Sequence, residues 1–108
     1  MDLINELQKL LNQLNISIKS LRKTGEEYAR AYTDYRVALA KELLILKNEG
    51  YAITLAGDIA RGKPEIAHLK FKEISNEAIY KANQESINSL KLQIKIIQEQ
   101  INKEYGNE

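Results

Sequence analysis

Glu65 and His68 stand three residues apart, and Glu-x-x-His on a helix is the ligand pair that di-iron carboxylate bundles use. Such a centre needs a second pair and two further inward glutamates, and His68 is the only histidine in the chain. Glu65 lies just after Pro64, where a carboxylate is favoured by the dipole of a helix start, so the pair is expected to decorate a surface and bind no metal. The carboxylates Asp34, Glu42 and Glu73 are expected to be helix-surface charges, some with Lys or Arg three or four residues away. No nucleophile stands with a base, and no glycine-rich phosphate loop is present. Cysteine is absent, which removes thiolate catalysis, thiolate metal sites and disulfides. These residues predict neither an enzyme nor a cofactor.

Binding chemistry has more candidates. Between Leu7 and Gly25 the charges are Lys9, Lys19, Arg22 and Lys23 with no acid, and Ser86 to Gln98 carries only Lys91 and Lys95. If the two segments lie side by side, Lys19, Arg22, Lys23, Lys91 and Lys95 form a basic patch able to meet phosphates or an acidic protein surface. The bland alternative is a solvated helix face, since no aromatic platform interleaves with the charges. Over the whole chain 16 basic residues offset 15 acidic ones, so no global field selects nucleic acid or a membrane surface.

The elements that must position these residues follow from apolar periodicity. From Leu3 to Leu46 three columns repeat every seven residues: Ile4, Leu11, Ile18, Gly25, Tyr32, Leu39, Leu46; then Leu7, Leu14, Leu21, Tyr28, Tyr35; then Leu3, Leu10, Ala31, Ala38, Ile45. All three share one face of a helix, a stripe broad enough to meet more than one neighbour. Asp2 is a fitting N-cap, and Asn48-Glu49-Gly50 a fitting stop, which predicts a helix over about 2–48, roughly 70 Å long at 1.5 Å per residue. A tip over about 49–63 holds Tyr51, Ile53, Leu55 and Ile59 and is expected to fold as a short helix capped by Thr54 and closed by Gly62. Pro64 and Glu65 open a last helix over about 64–104, with columns Ile66, Tyr80, Ile87, Ile94, Ile101 and Leu69, Leu90, Ile97.

Two such helices bury both stripes within one chain only by folding back antiparallel, so the expected fold is all-α: one domain, a coiled-coil-like hairpin with a short helix at its tip. Pairing outward from the tip sets Leu46 near Ile66, Tyr32 near Tyr80 and Leu14 near Ile97 or Ile101. That register predicts a polar and aromatic waist, with Thr24, Gly25, Tyr28, Tyr32 and Tyr35 facing Asn76, Ala78, Ala82, Asn83 and Ser86. The waist reads as core packing that fixes register, or as a ligand or peptide site. Ile16, Val37, Leu44, Leu92 and Ile96 fall outside the seam of a lone hairpin and are the candidates for self-association, as in a four-helix bundle of two copies. No apolar run reaches the ~20 residues of a membrane helix, and Asp2 follows Met1 where an export signal carries basic residues, so a cytoplasmic protein without membrane contact is expected.

The long first helix, the tip Tyr51-Ala52-Ile53-Thr54-Leu55-Ala56-Gly57-Asp58-Ile59-Ala60-Arg61-Gly62 and the closing Ile87-Asn88-Ser89-Leu90-Lys91-Leu92-Gln93-Ile94 together resemble small helical proteins encoded by phages and prophages of low-GC Gram-positive bacteria. That group is mostly of unassigned function. The resemblance implies a role in occluding or bridging host or phage proteins, host-defence complexes included, within the host cytoplasm.

Read together, these features predict a non-enzymatic protein-binding module whose partner meets Tyr51, Ile53, Leu55, Asp58, Ile59, Arg61 and Lys63 at the tip, where apolar anchors stand beside charge. The apolar members have a competing role in plugging the end of the hairpin. The alternatives are a nucleic-acid-binding accessory of phage replication or recombination that uses the basic patch, and a self-assembling structural component.

Overall fold

The computed structural model describes residues 2–106. It holds three helices and, among the described residues, no strand: α1 spans Leu3–Asn48, α2 Ile53–Gly62 and α3 Pro64–Tyr105. The fold is an all-α helical hairpin with α2 in its turn, as the periodicity requires.

The ends of α1 are built as its sequence suggests. Asp2 Oδ1 accepts hydrogen bonds from the amides of Ile4 (2.9 Å) and Asn5 (3.4 Å), satisfying two N–H groups that a helix start leaves without partners. Gly25 remains helical in mid-element. At the other end Gly50 takes φ +97°, its amide bonds Lys47 O at 3.0 Å, and the Tyr51 amide bonds Leu46 O at 3.2 Å. This is the Schellman arrangement; a Cβ at Gly50 would meet open space, so it is the positive φ that favours glycine there.

The tip departs from expectation in its caps. Thr54 does not cap α2; the N-cap is Ala52, whose extended backbone lends its carbonyl to the Ala56 amide at 2.8 Å and whose side chain caps nothing. Residues Tyr51 to Leu55 are all exposed, so water can serve the free amides there and no side-chain cap is required. Nor does Gly62 end the helix by turning left-handed. It is the last helical residue, and Lys63 leaves the helix with φ −69° and ψ 136°. Pro64 explains this, because its ring disfavours helical backbone in the residue before it. Lys63 is then the single joint between α2 and α3: its amide bonds Ala60 O at 3.2 Å, and its carbonyl accepts the Ala67 amide at 2.8 Å.

Two compact units make up the chain, Gly25–Ile79 and Met1–Thr24 with Tyr80–Glu108. In the Gly25–Ile79 unit the core gathers Tyr35, Leu39, Leu46, Ala56, Ala60 and Ile66, with Ala38, Leu43, Ile59 and Leu69 packed against it. Glu42 receives an ion pair from Lys63, Glu73 Oε2 one from Lys70 at 2.6 Å, and the Lys70 ammonium lies 4.8 Å from the centre of the Tyr35 ring. Glu42 and Glu73 are therefore seam residues and not the surface charges their types suggest; Glu73 is buried. Tyr28 Oη donates to Glu77 Oε2 at 2.7 Å.

In the second unit Leu10, Leu90 and Ile94 form the core, flanked by Leu7, Leu14 and Ile97. A polar layer closes it: Asn83 Nδ2 donates to Ser17 O at 2.9 Å, Thr24 Oγ1 donates to Asn83 Oδ1 at 2.8 Å, and the hydroxyls of Ser17 and Ser86 lie 3.4 Å apart. Thr24 and Asn83 thus meet as the waist predicts. Ser86 meets Ser17, not the tyrosines.

The seam itself corrects the pattern on α1. Ile4, Leu11, Ile18 and Tyr32, all of the first column, are exposed, and only its last members Leu39 and Leu46 are buried. The seam follows the Leu7–Tyr35 column and the third column as far as Ala38, while Ile45 at its end is exposed. Seven residues of a 3.6-residue helix fall about 20° short of two turns, so a column that begins outside the seam drifts into it over six heptads. On α3 both columns hold from Ile66 to Ile101, with Glu73, Asn76 and Asn83 filling the polar gaps between them.

The register also differs. Glu42 meets Lys63, Tyr35 meets Lys70 and Ser17 meets Ser86, so each α1 residue faces an α3 residue about two turns earlier than tip-outward pairing suggests. The cause is α2. It packs in the cluster that contains Leu43 and Leu46, so the end of α1 is covered by α2 and α3 begins pairing near Glu42. This register predicts that Ser17→Cys with Ser86→Cys, the only thiols in the chain, forms an intramolecular disulfide under mild oxidation. Ser17→Cys with Lys95→Cys should not, as read by non-reducing electrophoresis at low protein concentration.

Candidate functional site

The seven tip residues separate into two sets. Ile59 packs against the core cluster, and Lys63 is held by Glu42, so these two close the end of the hairpin. Tyr51, Ile53 and Leu55 do not. They are 41%, 72% and 51% exposed, while Asp58 and Arg61 also face solvent. The division follows from helix geometry: α2 buries Ala56, Gly57 and Ala60, one turn apart on one face, which leaves the other positions outward.

Arg61 has a further arrangement. A Cβ built on Gly57 would come 2.8 Å from Arg61 Nη1, so the guanidinium lies across the glycine backbone and covers it. Gly57 is buried in part by this side chain, whose far end is free to move.

Beside the tip runs a feature that the sequence reading missed. Ala40, Leu43, Leu44, Lys47, Ile53 and Ala56 line an open groove of about 260 Å³ between α1 and α2, with an almost wholly apolar surface. Leu44 is 62% exposed and forms one wall with Ile53. The signal was present in Val37, Ala40 and Leu44 at i, i+3 and i+7 on the face opposite the seam. What the sequence could not show is that Ile53 continues this strip from a different helix.

The other candidates are placed as follows. Lys19, Arg22, Lys23, Lys91 and Lys95 are all exposed, and Arg22 and Lys23 each engage another group of the chain. Ile16, Val37, Leu44, Leu92 and Ile96 are all exposed, as are Phe71, Ile74 and Ile79 on α3, which the sequence reading did not single out. Glu65 and His68 are exposed in the first turns of α3, and among the described residues no three His, Cys, Asp or Glu side chains converge as metal ligands would. Among those residues no helix is long and apolar enough to cross a membrane. Asp34 shares a shallow groove of about 230 Å³ with Glu27, Arg30, Lys72 and Asn76, over a floor that includes Ala31 and Leu69.

Comparison with family models, with curated proteins and with solved structures finds no match. The functional reading therefore rests on the geometry and on the residues themselves.

The electrostatics around the tip act at alkaline pH. The hydrogen bond that Lys63 donates to Glu42 raises its pKa above the usual 10.5, that of Lys70 to Glu73 does the same, and the bond of Tyr28 to Glu77 raises the phenol above 10.0. A folded-state pKa raised above the unfolded value contributes stability that is complete below the unfolded pKa and lost as pH rises through the folded one. Unfolding midpoints should then be insensitive to these three groups between pH 7 and 9 and decline above pH 10. Lys63→Met with Tyr28→Phe should flatten that decline in a denaturant titration repeated across pH.

Proposed function

We propose that the protein is a non-enzymatic protein-binding module that presents its α2 tip and the adjoining end of α1 to a partner. One observation carries this reading: Tyr51, Ile53 and Leu55 stay outside a core that α2 already joins through Ala56, Ala60 and Ile59. Large apolar side chains on a well-anchored element, with Asp58 and Arg61 beside them, are the composition of an interface hot spot and its polar rim. The resemblance to small phage and prophage proteins directs the reading toward occluding or bridging a host or phage protein, a host-defence complex included. A second reading, self-assembly, is favoured by the exposure of Ile16, Leu92 and Ile96.

Affinity capture with the tagged chain from a Gram-positive host lysate, with and without nuclease, tests both. The expected result is a discrete protein that survives nuclease and is lost with Tyr51→Ser and Leu55→Ser at unchanged helicity. Loss of all captured material on nuclease treatment would replace this reading with nucleic-acid binding through Lys19, Arg22, Lys23, Lys91 and Lys95. Recovery of the bait alone, with light scattering above monomer mass, would leave self-assembly.

A further inference from the structure

Resting on the protein-binding reading, we infer that the groove between α1 and α2 takes an amphipathic helix of the partner whose apolar stripe is flanked by acidic side chains. The floor argues for the helix: Ala40 and Ala56 are small, Leu43, Leu44 and Ile53 are large, and such a trough accepts side chains at i, i+3, i+4 and i+7 of a docking helix.

The edges argue for the charge. Along α1 the strip Val37, Ala40, Leu44 is bordered by Arg36 and Lys47 on one side and by Lys41 on the other, about 70° round the helix for Arg36 and Lys41 and about 50° for Lys47. All three are exposed and form no ion pair among the described residues. Glu42 is taken up by Lys63, and Asp58 lies about 200° round α2 from both Ala56 and Ala60 and so points away from the groove. Of the other acids near the strip, Asp34 and Glu49 are exposed but lie beyond its two ends, three residues before Val37 and two after Lys47, so the cations along it outnumber the acids. A second copy docking by this strip would set Arg36, Lys41 and Lys47 against their own equivalents, a like-charge juxtaposition that an acidic partner helix avoids.

Two fluorescent peptides of one helical design, with the same leucine stripe and either Glu or Lys flanks, test this by anisotropy against the full chain. The Glu-flanked peptide should bind saturably and about tenfold or more tighter than the Lys-flanked one, with an affinity that falls as salt rises. Arg36→Glu, Lys41→Glu and Lys47→Glu together should reverse the preference, and Leu44→Asp should remove binding of both, each at unchanged helicity by circular dichroism. Equal affinity for the two peptides, or no saturable binding, overturns the inference. So does a dimer by light scattering that Leu44→Asp dissociates, or binding of phosphatidylglycerol vesicles or duplex DNA in place of the peptide. If the Tyr51- and Leu55-dependent lysate capture persists while the Glu-flanked peptide is ignored, this inference fails alone; if that capture is absent too, the protein-binding reading fails with it.

Discussion

Ala56 and Ala60, 1% and 0% exposed, hold α2 against the end of α1, and the pairing of the arms follows from that contact. Two methyl side chains one turn apart let the helix settle among Tyr35, Leu39, Leu46 and Ile66. Replacing either by a large residue would push α2 off, since close-packed cores absorb added volume poorly. Because α2 covers Leu43 and Leu46, α3 meets α1 only from about Glu42 onward. Pro64 then holds Lys63 extended, so α2 and α3 cannot merge into one helix and the turn keeps its shape.

Away from the tip, polar layers stand beside the apolar cluster of Leu10, Leu90 and Ile94. Asn83 bridges Ser17 O and Thr24 Oγ1 in one unit, and Lys70 serves Glu73 while lying over Tyr35 in the other. Each neutral hydrogen bond contributes only about 1 kcal/mol net, but a slipped register would take Asn83 away from Ser17 and Thr24, at up to about 1–3 kcal/mol for each group left buried without a partner. Specificity of alignment, more than strength, is what such layers supply. Among the residues described no buried side-chain nitrogen or oxygen lacks a hydrogen-bond partner, so the layers are closed in this register.

Much of this was legible in the residues. The Asp2 cap, the Gly50 stop, the Pro64 start and both α3 columns are local signals, and the structure follows each of them. What was not legible depends on how α2 seats itself. A strict seven-residue count cannot tell which of three adjacent columns faces the partner, because the drift of a straight helix moves a column across the seam. Nor can spacing show that Glu42 and Glu73 point inward: Lys70 stands three residues before Glu73 whichever way the pair faces, and Lys63 reaches Glu42 only once the chain has folded back. At the tip, which of the seven residues face outward depends on how α2 packs: Tyr51, Ile53, Leu55, Asp58 and Arg61 are exposed, Ile59 and Lys63 are half-buried, and the groove with Leu44 arises from two helices that no single periodicity joins.

The division of labour at the tip is the centre of this account: Ala56, Ala60 and Ile59 hold α2 in place, while Leu44 and Ile53 are available to a partner. Denaturant unfolding of Leu44→Asn, Ile53→Asn and Ala60→Asn measures it directly. Stabilities of the first two within about 0.5 kcal/mol of the parent are predicted, against a loss of about 2 kcal/mol or more where Asn is forced into the core at Ala60. Losses at Leu44 and Ile53 as large as that at Ala60 would contradict it, because both side chains would then belong to the core and not to a partner.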